Sequence, residues 1–342
     1  MTNVWPLLIR STVNIIGRDM TKTSRLAASF IAALMLFGLA TKVCAQRNPT
    51  MPSQRTDNLK EALYAQFTEY KKSINPEERR LAYPTAKEFM RRFGGDNDYY
   101  AREVQRFIDD YDRDLRDLEI LKTYNAKNYP KTFDLGRAFL KTSPDDFFVL
   151  GVLAEAGYEN AVAGDASLNA EVIEYTRKAI NLLESGKVSK ADPFKSMDLA
   201  RGFLNFTFGW FLKDQSPVEA AAAFLNAVKS NSPYRQDSSV YYRLGVAILK
   251  GEFAQLSAEY NQKFGSKQSS PEQAAMLTRI KQVSDRAIDA YARATALMTK
   301  PEQQEARNKI LMQLTALYKN FHGGSDTGLN ELIATVLSKP LP

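Results

Sequence analysis

Residues 241–248 read YYRLGVAI and residues 147–154 read FFVLGVLA, with aromatic residues, Leu-Gly and a final apolar residue at the same spacing. Each stretch places an aromatic residue, then Leu-Gly, then a medium-sized apolar residue at helical spacing. A glycine on the packed face of a helix lets a second element approach closely, because it has no Cβ. The two stretches therefore predict helices that each receive a neighbouring helix, at Gly151 and at Gly245.

A complementary pattern of small and aromatic residues lies further along the chain. Two triplets share a spacing of four and then three residues: Ala220, Phe224 and Ala227, and Ala287, Tyr291 and Ala294. On one helix face, the small residues admit a neighbour and the aromatic ring fills the groove between them. These segments are therefore predicted to be the partners of the glycine-bearing helices.

Together the two patterns resemble the tetratricopeptide repeat, which carries Leu-Gly on its first helix and Ala-aromatic-Ala on its second, followed by proline. Pro233 and Pro301 lie near the expected prolines. The resemblance covers residues 130–320, although Gly151 and Gly245 are 94 residues apart, which is not a multiple of the ~34-residue period. It implies an all-α fold, an α-solenoid of stacked antiparallel helical hairpins in a right-handed superhelix.

Helical periodicity runs through most of the chain. Five sequence signals predict where helices start: Ser216-Pro217, Ser270-Pro271, Ser143-Pro144, Asp192-Pro193 and a capping box from Thr299 to Glu302. The predicted helices are 57–73, 76–93, 98–123, 128–142, 144–161, 166–186, 193–213, 217–230, 237–262, 271–299, 301–321 and 326–338. Pro84 is expected to start or kink the second of them. An irregular helical bundle is the alternative, and the all-round apolar stretch 203–212 (FLNFTFGWFL) supports it by predicting a helix buried between layers.

The first 45 residues are predicted to be a secretory signal peptide. Basic residues precede an uncharged run over 26–40, and small residues follow it. That run has 15 residues, whereas a spanning helix needs about 20, so an uncleaved anchor is the less favoured interpretation. Residues 20–45 form a complete signal, which makes Met20 a second candidate start. We expect a disordered lead-in over 46–56, a helical repeat domain over 57–338, and export to the periplasm or medium.

Composition excludes several kinds of site from the expected mature chain. Cys44 is the single cysteine, so disulfides and thiolate metal sites are not expected. The net charge of +7 falls to about +3 without the leader, which gives little support for nucleic-acid binding.

Sequence motifs for catalysis are not found. His322 is the single histidine and lies at a predicted helix end, where an imidazole can bond terminal carbonyls. There is no phosphate-binding glycine loop and no G-x-S-x-G motif. An acidic run over 109–119 is expected to be a solvated helix face. We predict no enzyme activity, no cofactor and no metal.

The aromatic residues suggest a binding role. If the repeat architecture holds, its inner helices line a concave surface, and Tyr and Arg are favoured at interfaces. Tyr242 and Arg243 are the predicted partner-binding residues, whereas Phe147, Phe148 and Tyr241 are expected in the core. The predicted function is an exported, non-catalytic scaffold for a protein or peptide partner, without a membrane span after signal cleavage. The alternatives are a glycan- or peptidoglycan-associated binding protein or enzyme, and an assembly subunit of the envelope.

Overall fold

The computed structural model describes residues 52–264 and 270–341. Within these ranges the secondary structure is entirely helical, with no strand. The predicted signal peptide over 1–45 lies outside the described residues. The chain divides into two compact units, one ending at Glu119 and the other beginning at Ile120. The division falls inside one long helix, which is why the sequence offered no linker to mark it.

From Pro52 onward, the first unit contains four α-helices: α1 Pro52–Lys72, α2 Pro76–Arg80, α3 Ala82–Phe93 and the greater part of α4 Tyr99–Asn125. Its core is built around Phe67, Phe89 and Val104, which are fully buried. Since α1 begins at Pro52, the second half of the predicted lead-in is helical rather than disordered. The predicted helix over 76–93 is interrupted before Ala82, which places Pro84 in the first turn of α3, where its missing N–H is tolerated.

The acidic face of α4 is largely solvated, as predicted. Asp109, Asp110 and Asp114 are exposed. Asp112 is half-buried and accepts hydrogen bonds from the hydroxyl of Tyr83 and, at 3.3 Å, from Lys87 Nζ. One carboxylate of the run therefore ties α4 to α3.

The second unit begins with the last residues of α4 and continues through ten further helices: α5 Tyr129–Thr142, α6 Phe147–Val162, α7 Asn169–Glu184, α8 Met197–Leu212, α9 Pro217–Lys229, α10 Ser238–Ile248, α11 Ala254–Phe264, α12 Pro271–Leu297, α13 Gln304–Phe321 and α14 Leu329–Thr335. A π-helical turn, Leu249–Phe253, joins α10 to α11 without a break. Most of these helices pack on a neighbour in the chain: α6 on α7, α7 on α8, α8 on α9, α9 on α10, and α12 on α13. Helix α12 also packs on α10, which is not its neighbour in sequence.

Two of the predicted helix starts are confirmed. Ser216 directly precedes α9, and the Ser270 hydroxyl caps α12 by accepting from Gln273 N at 3.1 Å. In the capping box predicted from Thr299 to Glu302, the side chain that bonds back to the helix start is that of Gln303 rather than Glu302. It accepts a hydrogen bond from Lys300 N at 3.2 Å. The capping box is therefore shifted by one residue from the predicted position.

The predicted starts at Ser143 and Asp192 are wrong. Helix α6 begins at Phe147, with Asp146 accepting from Val149 N, and α8 begins at Met197, with Ser196 accepting from Leu199 N. In both places a cap residue lies directly before the apolar run of the helix. The prolines belong to the preceding turns.

Large side chains pack into the space left by glycines on neighbouring helices. A Cβ built on Gly209 of α8 would lie 2.9 Å from the Phe224 ring of α9, and one on Gly245 of α10 would lie 3.3 Å from the Tyr291 ring of α12. The predicted contact of Tyr291 with the helix that bears Gly245 is therefore confirmed, whereas Phe224 fills a gap at Gly209 rather than at either predicted glycine. Gly209 has the same role, which its sequence context had not revealed.

Gly151 does not receive a helix. Its nearest neighbours are Pro193 and Phe194, in the loop before α8, at 2.8 and 2.9 Å from an added Cβ. The close helix approach on α6 occurs instead at Gly157, where a Cβ would lie 2.0 Å from Val172 of α7. The predicted helix contact at Gly151 is therefore wrong, because a loop packs there instead.

Helix α8 is buried on most of its surface, as its apolar sequence predicted. Phe203, Leu204 and Phe206 are at most 5% exposed. The helix packs on α7 and on α9. Its apolar residues therefore form the centre of the second unit.

Replacing Gly157 with alanine tests the contact between α6 and α7. Alanine favours a helix interior by about 1 kcal/mol over glycine, but overpacking a tight contact costs about 1–3 kcal/mol. Because the added Cβ would overlap Val172 at 2.0 Å, we expect the upper end of this overpacking cost, so Gly157→Ala should lower the free energy of unfolding in urea by about 2 kcal/mol. The double variant Gly157→Ala/Val172→Ala should recover part of the loss.

The matched control is Gly95→Ala, because a Cβ at Gly95 meets nothing within 4 Å. Its effect should stay within about 0.5 kcal/mol. Equal effects of the Gly157 and Gly95 substitutions would contradict the proposed importance of this contact.

Candidate functional site

The predicted site residues Tyr242 and Arg243 lie on α10 and are both half-buried. The Tyr242 ring packs near Tyr291 of α12, with 5.7 Å between ring centroids. Tyr241 and Phe147 are 3% and 8% exposed, which confirms that they belong to the core, whereas Phe148, expected to join them, is half-buried. Tyr242 therefore contributes to the contact with α12, while its half-buried neighbour Arg243 has a different environment.

Arg243 has a buried Nε with no hydrogen-bond acceptor. Among the described residues its guanidinium makes no ion pair within 4 Å. Burial raises the pKa of the Tyr158 phenol on α6, and the positive charge of Arg243 offsets part of that rise. A guanidinium N–H removed from water without an acceptor is unfavourable by about 1–3 kcal/mol. Arg243 is thus a charged donor that lacks a partner within the described chain.

Tyr158, whose phenol senses the charge of Arg243, belongs to a cluster of aromatic side chains from α6 and α8. The Tyr158 ring packs edge-on against Phe206 and Trp210, at centroid distances of 5.6 and 5.5 Å. Lys213 Nζ lies 4.2 Å from the centroid of the Trp210 ring. Tyr158 and Trp210 are half-buried, so each keeps part of its ring exposed. We name Tyr158, Trp210 and Arg243 the aromatic–arginine surface.

A buried acid lies one turn before Tyr158 on α6. Glu155 is 5% exposed, and burial, followed by the charge of Glu159, raises its pKa to about 8. Glu159 is held differently, because Tyr129 and Tyr124 donate their hydroxyls to its two carboxylate oxygens at 2.7 and 3.1 Å. Glu155 is therefore mostly protonated at neutral pH, beneath the aromatic–arginine surface. The sequence signal for this buried acid is a glutamate that directly follows the apolar run 147–154 of α6.

The two glutamates do not form a hydrolytic pair across a cleft. Glu155 and Glu159 follow each other on successive turns of one helix, whereas glycoside hydrolysis needs two carboxyl groups on opposite sides of the substrate. Over 52–264 and 270–341, no group of three or more His, Cys, Asp or Glu side chains is arranged to hold a metal ion. The arrangement is suited to binding through charge and aromatic contact.

The first unit contains a separate polar cleft of about 340 Å³, lined in part by Lys71, Arg102, Glu103 and Arg106. Two of its cations have internal partners: Lys71 Nζ lies 3.3 Å from Glu103, and Arg102 donates to the Asn97 carbonyl at 2.6 Å. Among the described residues, no buried side-chain atom that lacks a hydrogen-bond partner lines this cleft, in contrast to Arg243 Nε.

His322 caps the end of α13, as predicted. Its Nδ1 lies 2.9 Å from the Tyr318 carbonyl oxygen, and its ring stacks on that of Tyr318 with 3.8 Å between centroids. The imidazole thus interacts with the helix end and its own preceding turn.

The Glu155 pKa predicts a specific dependence of stability on pH. Its pKa is higher in the folded chain than the usual value of 4.5, so the unfolded chain releases this proton first as pH rises. The contribution of Glu155 to stability therefore falls between about pH 4.5 and pH 8. Glutamine has the shape of the protonated acid but does not titrate. We expect Glu155→Gln to be about 2–4 kcal/mol more stable than the wild type at pH 8, on the linkage scale.

Urea unfolding of both proteins at pH 5 and pH 8 measures this difference. The two proteins should differ little at pH 5. Parallel pH profiles for wild type and variant would contradict a protonated Glu155.

Comparison of the chain with protein-family models, curated proteins and solved structures gave no match. The functional assignment therefore rests on its own residues. Arg243, with its unsatisfied donor, and the adjoining rings of Tyr158 and Trp210 are the groups that carry it.

Proposed function

We propose that this protein is an exported, non-catalytic scaffold that binds a protein or peptide partner through a concave surface of stacked helical hairpins. The packing of consecutive helices in the second unit supports a solenoid of tetratricopeptide-like hairpins. The leader-like sequence over 1–45 supports export. None of the helices in the described part of the chain is long and apolar enough to span a bilayer.

Arg243 is the observation that carries the proposal. Its Nε lacks an acceptor and is shielded from solvent, so binding requires the half-buried side chain to turn outward. A partner's carboxylate would then accept two hydrogen bonds in the planar arrangement that a guanidinium prefers. A bound carboxylate would also compensate the desolvation of the arginine, so binding gains more here than at an arginine already paired within the chain.

The neighbouring aromatic rings suit the same role. Tyr158 and Trp210 offer half-exposed rings on two different helices, held by edge-on packing. Rigid aromatic side chains bury a large area at low entropic cost, and Trp, Tyr and Arg dominate interface energetics. The aromatic–arginine surface is therefore the proposed anchor for an acidic residue flanked by apolar side chains.

A glycan-binding role is the second candidate, because stacked aromatic rings also suit sugars. The positions of Glu155 and Glu159 on one helix face favour binding over hydrolysis. Arg243 distinguishes the candidates further, since a neutral sugar would leave its charge without a partner.

Removing the Arg243 charge should weaken partner capture. We would immobilise full-length wild type, Arg243→Gln and Lys229→Gln, and identify proteins retained from a native envelope extract by quantitative mass spectrometry. A hydrogen bond to a charged group is worth about 1.5–3 kcal/mol, so we expect at least a tenfold loss of the partner on Arg243→Gln. Lys229 is an exposed cation on α9, and its substitution should leave capture unchanged.

Trp210 provides a direct measurement with the purified partner. The chain's other tryptophan is Trp5, in the predicted leader, so emission from the mature protein reports Trp210. Partner binding should shift this emission, and Arg243→Gln should move the midpoint of the titration to higher concentration. Equal capture by all three proteins, or unchanged Trp210 emission at saturation, would refute the proposed surface.

A further inference from the structure

A groove in the second unit is already occupied at one side by the chain itself. It has a volume of about 220 Å³ and lies between α9, α10 and α12. Its apolar lining includes Val218, Ala221, Leu225, Leu244 and Ile248, and its rim is charged. Leu341 lines one side, so the segment 339–341 reaches the groove through this side chain.

A buried arginine holds this segment. Arg293 of α12 is 3% exposed, and its Nη2 donates to the carbonyl oxygens of Lys339 and Pro340 at 3.1 and 2.7 Å. Asp289 neutralises the guanidinium through contacts of 2.6 Å to Nε and 3.3 Å to Nη2. A buried cation is unfavourable unless its donors are satisfied. The peptide carbonyls are therefore part of what stabilises Arg293 in this position.

The segment has the features of an extended proline-containing ligand. Lys339 has φ −89° and ψ 150°, close to polyproline II geometry. Proline has no N–H, so a receptor reads such a peptide by donating to its carbonyls, as Arg293 does. The Lys339 and Pro340 side chains are exposed, whereas Leu341 is half-buried against the groove. Arg293 thus contacts the backbone of the segment, and the groove contacts one aliphatic side chain.

We propose that this groove is a second binding site, for extended proline-containing peptides with an aliphatic residue, and that residues 339–341 are its intramolecular occupant. The site is independent of the aromatic–arginine surface, because it uses Arg293 and the apolar residues of α9 and α10. A tethered segment competes at an effective concentration of about millimolar, so an external peptide binds well only after the tether is displaced.

The test uses a fluorescein-labelled synthetic peptide of residues 338–342 (SKPLP) and fluorescence anisotropy. The full-length proteins are wild type, Leu341→Asp, which releases the occupant, and the control Leu337→Asp. Leu337 is 47% exposed and does not line the groove. We expect Leu341→Asp to bind the peptide at least tenfold more tightly than the other two. Equal affinities, or no binding to a folded Leu341→Asp protein, would overturn the proposal.

Two further variants keep the test specific. Adding Ala222→Trp to Leu341→Asp should abolish peptide binding, because Ala222 is exposed and lines the groove. Arg243→Gln should leave peptide affinity unchanged, which separates this site from the proposed scaffold function. Peptide binding that survives Ala222→Trp would place the peptide elsewhere and refute the site.

Wild-type protein supplies a measurement that does not depend on Leu341→Asp folding. Millimolar peptide should increase hydrogen–deuterium exchange in residues 336–342, since the external ligand replaces the internal one. If hydrogen–deuterium exchange in these residues does not increase, the added peptide does not displace the internal segment, which contradicts the proposal. If size-exclusion chromatography instead reveals a reversible dimer that millimolar peptide does not dissociate, the groove joins two copies of the chain and the peptide proposal is wrong.

Discussion

Close approach between helices at glycine positions is the constraint on which the second unit depends. Gly157 receives Val172, and Gly209 receives the ring of Phe224, each at a distance that leaves no room for a Cβ. Because each large side chain fills one specific gap, it sets the register of one helix on the next. The positions of Tyr158 on α6, Trp210 on α8 and Arg243 on α10 follow from that register.

Two arginines of this unit show how the same side chain can have opposite roles. Arg293 is almost completely buried, yet Asp289 and two backbone carbonyls satisfy its donors. Arg243 is less buried and lacks an acceptor for its Nε. The first is stable as it stands, whereas the second gains by meeting an external acceptor. This contrast underlies the distinction between the proposed self-occupied groove and the proposed aromatic–arginine surface.

Helix content was accessible from the sequence because apolar periodicity and cap residues are local signals. The helices at 217–230 and 271–299 were predicted to within a few residues. The starts at Ser143 and Asp192 were misplaced, because serine–proline and aspartate–proline pairs also occur in turns. Tyr242 and Arg243 were predicted as partner-binding residues from their neighbours on α10, and that role remains a prediction.

The sequence by itself determined the all-helical class, the core roles of Phe147 and Tyr241, and the glycine–aromatic packing of Gly245 with Tyr291. Only the tertiary structure decided which glycine of α6 receives a helix and which acid is buried. It also brought residues 339–341 onto Arg293. These contacts join residues far apart in the chain, and local periodicity carries no information about such distances. Burial and hydrogen bonding then determine whether a charged side chain is satisfied within the fold or left with an unpaired donor.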